Sequence, residues 1–228
     1  MTATQHGMPG EWAKVRGTVL SLWPLFLCFI ALGAFGAAIF LGSQQLLFGG
    51  LFVFSLLATI VFWWKGLRRV ESFFKGARGE EHVAGLLANL PSGYHVFHDF
   101  AVGGYHVDHV VVGSTGIFSV ETKSWRGSVT VEENEIIVNG HLPDRAPVRQ
   151  ATREAAAVQA ALRRAGWTTG EVRPVVCFAS DTFADAQKAV GSVMVLNAGV
   201  AVAWIEAQPK VMSDGDVERV VNLMETCV

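Results

Sequence analysis

Two uncharged runs near the N-terminus constrain this chain more than any other feature. From Val19 to Leu41 there is no Asp, Glu, Lys or Arg, and after the polar break Gly42-Ser43-Gln44-Gln45 a second such run extends from Leu46 to Trp64. Each is about 20 residues, the length at which a helix rising 1.5 Å per residue crosses a hydrocarbon core. The competing readings are a cleaved signal, with Ala31-Leu32-Gly33-Ala34 as its cleavage site, and a buried hairpin of a soluble protein. A signal has an apolar stretch of only about 7 to 15 residues, and hydropathy of this strength is among the more dependable sequence signals. The expectation is two transmembrane helices, about 19–41 and 46–64.

The flanks orient them. Lys14 and Arg16 precede the first run, the connection is uncharged, and Lys65, Arg68, Arg69, Lys75 and Arg78 follow the second. Positive charge marks the cytoplasmic side, so both termini are expected there, with Trp63 and Trp64 as interfacial aromatics. The organisation expected is a cytoplasmic tail over 1–17, the two spans within 18–64, a basic juxtamembrane linker over 65–75 able to contact anionic lipid, and one domain over 76–228. That places the protein as a multi-pass protein of the inner (plasma) membrane.

The averages of 51% hydrophobic and 17% charged residues, with a net charge of -2, combine these two unlike parts. Beyond the linker acidic residues outnumber basic ones, so nucleic-acid contact would require a local patch rather than bulk charge. Cys28, Cys177 and Cys227 are scattered and form no C-x-x-C pair, which argues against a zinc site or a disulfide framework.

In the domain, Gly79-Glu80-Glu81 opens an amphipathic segment with Val83, Leu86, Leu87 and Leu90 at helical spacing, stopped by Pro91-Ser92-Gly93. Strand-like runs follow at 94–100, 106–112, 116–123, 128–131 and 136–138, read as an antiparallel meander. A long Ala-rich helix is expected over 147–165, buried strands over 172–178 and 193–196, and a closing helix over 213–226 with Ser213 as N-cap. Strands enclosed by helices make an α/β or α+β sandwich.

The strongest local pattern is a strand pair. His106 to Val112 and Ile117 to Lys123 are joined by Gly113-Ser114-Thr115-Gly116, a four-residue hairpin connection. If Val112 pairs with Ile117, Asp108 lies across from Glu121, and Lys123 shares their face. Opposed carboxylates between apolar strands are costly unless compensated. A divalent cation such as magnesium, held by one or two carboxylates and several waters, would compensate. The competing reading is an ion pair of Lys123 with one carboxylate at a sheet edge, Asp108 being exposed.

In order, Gly76-Ala77-Arg78-Gly79-Glu80, Tyr94-His95-Val96-Phe97, Val107-Asp108-His109-Val110-Val111-Val112 and Gly116-Ile117-Phe118-Ser119-Val120-Glu121-Thr122-Lys123 resemble the nuclease-related domain (NERD) family. That family is similar to the restriction-endonuclease-like superfamily, whose mark is an Asp followed by Glu-x-Lys on adjacent strands. The resemblance, over about residues 76–190, implies a central mixed sheet flanked by helices. It also implies Asp108 and Glu121 as metal-binding carboxylates, Lys123 as the catalytic lysine, Glu80 as a further acidic ligand, and Gln150 as a glutamine beside the site. Expected from it are Mg2+ or Mn2+ as cofactor and a metal-dependent nuclease acting on nucleic acid, DNA ahead of RNA. The alternative is a catalytically inactive binding module on the membrane.

Other candidates are weaker. His109 points to the face opposite Asp108 and reads as a core histidine, and His95, His98, His106 and His141 have no metal-ligand spacing. Trp125 has two readings, base stacking or packing at a strand end. The Gly33-to-Ala38 stretch of small residues offers a surface for helix packing in a homo-oligomer.

Overall fold

The structure, a computed structural model, describes residues 2–227 apart from Ser43, Arg145 and Ala184. Ser43 of the expected loop therefore lies outside the described residues. The chain divides into two compact units, one of residues 11–75 and one of residues 1–10 together with 76–228.

The first unit is a helical hairpin of α1 (Glu11–Phe40) and the first part of α2 (Gln45–Leu87). Both helices are long and apolar enough to cross a membrane. Trp23, Phe26, Phe54 and Leu57 are among the large apolar side chains that this unit leaves exposed, a surface that is unfavourable against water and ordinary against lipid. Pro24 sits inside α1.

The second unit is built on a seven-stranded mixed sheet in the order β1-β2-β3-β4-β7-β9-β8. Its strands are β1 (Thr4–His6), β2 (His95–Val102), β3 (Tyr105–Gly113), β4 (Gly116–Lys123), β7 (Val172–Phe178), β8 (Gln187–Val190) and β9 (Val193–Asn197). The meander β2-β3-β4 is antiparallel, β4, β7 and β9 are mutually parallel, β1 joins β2 in parallel, and β8 closes the far edge antiparallel to β9. The expected meander does not continue as one sheet. After β4 the chain turns out at Gly127, and β5 (Val129–Glu132) and β6 (Glu135–Val138) pair only with each other.

Every residue of β4 is buried, as befits a strand covered on both faces. One face packs Val110, Val112 and Ile117 under α3 (Pro147–Arg164) and α5 (Asp214–Thr226), through Val158, Leu162, Val220 and Met224. The other packs Val111, Phe118 and Val120 under the end of α2 and α4 (Ala198–Glu206), through Val83, Leu87 and Ile205. A third cluster joins β7 and β9 to α3 and the β5-β6 hairpin through Ala151, Phe178, Phe183, Val131 and Ile136.

The expected tail begins inside this sheet. Thr4 to His6 pair with His95 to Phe97, the Ala3 N–H donates to the Leu90 carbonyl at 2.8 Å, and Ala3 is buried. Ser213 caps α5 in a reciprocal capping box with Asp216, an arrangement that satisfies two otherwise free helix donors.

Candidate functional site

Val112 pairs with Ile117 and His109 with Val120, and the same register sets Asp108 opposite Glu121. There the ladder gives way to a side-chain contact, with the Thr122 N–H donating to Asp108 Oδ2 at 2.7 Å. This bond fixes the carboxylate at the point where β3 and β4 diverge.

Glu121 and Lys123 point from the last turn of the β4 pleat toward α3. The Lys123 ammonium donates to Glu121 Oε1 in a buried ion pair and to Gln150 Oε1 at 3.0 Å. Gln150 in turn donates through Nε2 to Glu154 Oε1 at 2.8 Å. Glu121 and Glu154 are each 3% exposed.

Glu80 approaches from α2, and Gly79 explains how it can. A Cβ at Gly79 would lie 1.6 Å from Ser124 Oγ and 3.0 Å from Ser124 Cβ, so the helix can come this close to the end of β4 only where it lacks a side chain. The next residue is then carried to the site.

The electrostatics bear out the crowding. Burial first, then the neighbouring charges of Glu121 and Glu80, push the Asp108 carboxyl well above its usual range, against the bond from Thr122 and the charge of Lys123. Burial, with Asp99 and Glu121, raises Glu80 to about 7. Burial, with Glu121, raises Glu154 to about 8. One lysine thus faces four acidic groups, and burial with mutual repulsion favours the protonated form at Asp108, Glu80 and Glu154.

The donor set fits a hard divalent cation. Asp108, Glu121 and Glu80 offer carboxylate oxygens, and the Glu121 carboxylate lies within hydrogen-bond reach of Glu154. Among the described residues no three His, Cys, Asp or Glu side chains form a ready-made ligand cage.

The five residues expected from the sequence, Glu80, Asp108, Glu121, Lys123 and Gln150, thus meet around the ends of β3 and β4. Glu154 is the addition. Its signal was its place four residues after Gln150 on one helix, a spacing that puts both side chains on the same face. His109 lies on the other side of β3, fully buried, with Nδ1 at 2.9 Å from His98 Nδ1. His98 also meets Gln5 Oε1 at 2.6 Å. Burial lowers His98 to about 4 and His109 to about 3, so the pair is a neutral core contact.

Residues 75–179 match the family described as the nuclease-related domain, NERD. An uncharacterized protein of Bacillus anthracis is 38% identical over 60 residues, covering 24% of this chain and 28% of the relative. The chain thus spans less than a third of that protein's length. No solved structure matches.

Proposed function

This chain carries a nuclease-related domain over residues 75–179, and from that premise we propose that it is a membrane-anchored, divalent-metal-dependent nuclease. It would hydrolyse phosphodiester bonds of nucleic acid at the cytoplasmic face. The observation that carries the reading is the meeting of Asp108, Glu121 and Lys123 on adjoining strands, with Glu80 and Gln150 closing around them.

Asp108 and Glu121, with Glu80, are the residues that would hold Mg2+ or Mn2+. When bound, such an ion polarises a phosphoryl oxygen and acidifies a coordinated water. The rest of the chemistry belongs to the chain. In hydrolysis a water oxygen adds to phosphorus as that water gives up a proton to solvent, and the bond to the leaving sugar oxygen breaks, that oxygen taking a proton from solvent. Negative charge grows on the phosphoryl oxygens meanwhile. Lys123 spends two of its three N–H donors on Glu121 and Gln150, and the third is suited to the attacking water or a phosphoryl oxygen. Gln150 and Glu121 fix the ammonium from two sides, so little reorganisation is needed as charge develops.

Anchoring rests on the two apolar helices, and the cytoplasmic face on the basic residues at both ends of the hairpin. A contact within the domain unit supports a common side for both ends. Gly10 and Ala77 touch, a Cβ at Gly10 lying 2.9 Å from Ala77 Cβ, so the hairpin leaves and re-enters the domain at one place.

The test is release of nucleotides from single- and double-stranded DNA and RNA by the full chain in detergent micelles, with magnesium, manganese or chelator. Cleavage should require metal and fall by about 100-fold or more in Glu121→Gln and in Lys123→Met, the scale of losing a group that stabilises the transition state. A folded wild type that binds metal and nucleic acid but cuts neither would instead identify a binding module.

A further inference from the structure

Just beyond Lys123 the chain lines an open cleft of about 380 Å³ with Trp125, Arg126, Val138, His141, Leu142, Pro143 and Asp144. This is within the range of small-ligand sites, about 300 to 1,000 Å³. Trp125 is two residues past Lys123, a distance of about 7 Å at most along the chain. The cleft therefore opens beside the candidate site.

The walls are fixed by the backbone. Val138 and His141 exchange hydrogen bonds, N to O, at 2.8 and 3.0 Å, across a turn whose central residues Asn139 and Gly140 have φ of 51° and 79°. Two positive φ values at the centre are the mark of a type I′ turn. Asn139 Oδ1 then accepts from the Ser128 N–H at 3.0 Å, tying the turn to the strand after Trp125. Gly127, at φ 97°, permits this approach, since a Cβ there would fall 2.0 Å from Asn139 Oδ1. Trp125 is held from behind by Phe178, ring centroids 5.7 Å apart and planes at 60°. It both packs and lines the cleft.

The lining has a definite chemistry. Trp125, Leu142, Pro143 and Val138 are apolar, and Leu142 is 65% exposed, an apolar side chain offered to solvent beside a polar site. Among the described lining residues, Arg126 and Asp144 carry opposite charges, with the His141 imidazole beside them. A flat, uncharged group with N–H donors and carbonyl acceptors on its edge suits it: an aromatic face to stack on, a guanidinium for its acceptors and a carboxylate for its amino group.

We propose that this cleft takes a nucleobase of the substrate strand close to the bond that is cut. The inference rests on the nuclease reading for its substrate. It adds that the base must be unstacked to enter, so the substrate is single-stranded or locally opened at that position.

The test uses the full chain in micelles, in chelator so that no cutting occurs, with a fluorescein-labelled single-stranded DNA oligonucleotide followed by anisotropy. Trp125→Ala should weaken binding about 5- to 100-fold, the scale of losing one base–aromatic stack, while Trp125→Phe retains most of it. Because Trp125 also packs on Phe178, Leu142→Ser, on an exposed side chain, is the second variant and should weaken binding without lowering Tm. A duplex of the same sequence should bind more weakly and respond little to either change. Unchanged single-strand affinity in folded variants, or no single-strand binding by the wild type, overturns the proposal. A wild type that cuts with metal but whose variants bind normally would leave the nuclease reading standing and the cleft refuted. One that binds through Trp125 but cuts under no metal would do the reverse.

Discussion

Glu154 shows how a buried acid can serve a neighbour. It accepts from Gln150 Nε2, which turns the amide so that Oε1 faces Lys123. Glu154→Gln keeps an acceptor there, whereas Glu154→Leu removes it, so only the second should lower kcat, by about 10-fold, without raising KM. Stability should move the other way. Burial raises the Glu154 pKa to about 8 from an ordinary 4.5, so the folded state favours the protonated carboxyl. Its contribution is fully present below about pH 4.5 and is lost as the pH rises towards 8. In chelator, the Tm of Glu154→Gln should therefore exceed that of the wild type by a margin that grows between pH 5 and pH 8, as read by thermal unfolding. A margin independent of pH would mean that this carboxyl is not protonated in the fold.

At the level of elements, the site depends on how closely α2 approaches the end of β4. Gly79→Ala forces its new methyl against Ser124. Overpacking of this kind costs about 1–3 kcal/mol, and Glu80 would move with the helix. Thermal unfolding should show a lower Tm, isothermal titration a weaker affinity for manganese, and Ser124→Gly in the same chain should restore both. The elements around this contact were legible in the sequence for physical reasons. Apolar runs bounded by Gly turns fixed β3 and β4, and a short connection left one register that kept the apolar residues buried on both faces. The Ala-rich α3 and the Ser213 cap of α5 are legible for similar reasons. What escaped notice carries no periodic pattern. β1 is the polar Thr4-Gln5-His6, held by backbone pairing at the sheet edge, and β8, Gln187 to Val190, is a largely exposed edge strand. α4 is apolar along nearly its whole length, so neither period stands out, although Asn197, whose side chain accepts from the Gly199 N–H, was a visible N-cap. Glu154 was hidden because a charged residue in a helix is ordinarily read as solvent-facing.

For the whole molecule, the first ten residues count as domain. Removing residues 2–9 should strip β1 from the edge of β2, unpair His98 from Gln5 and open the pocket that Ala3 fills. The expected outcome is a Tm several degrees lower, measured on the chain in micelles with the hairpin retained; an unchanged Tm would show that the strand adds nothing to the fold. Gly10 and Ala77 in contact have a further meaning for how the protein is made. β1 leaves the ribosome before β2 and must wait for that partner about ninety residues later. Closing a free loop of that length is slow and entropically unfavourable. Once α1 and α2 have paired, however, the ends of the intervening segment are already together, and the long loop becomes a short one. If the hairpin is membrane-inserted, as proposed, its insertion would then assist the domain's own folding, and a ribosome-bound chain denied a bilayer should stall with β1 unpaired.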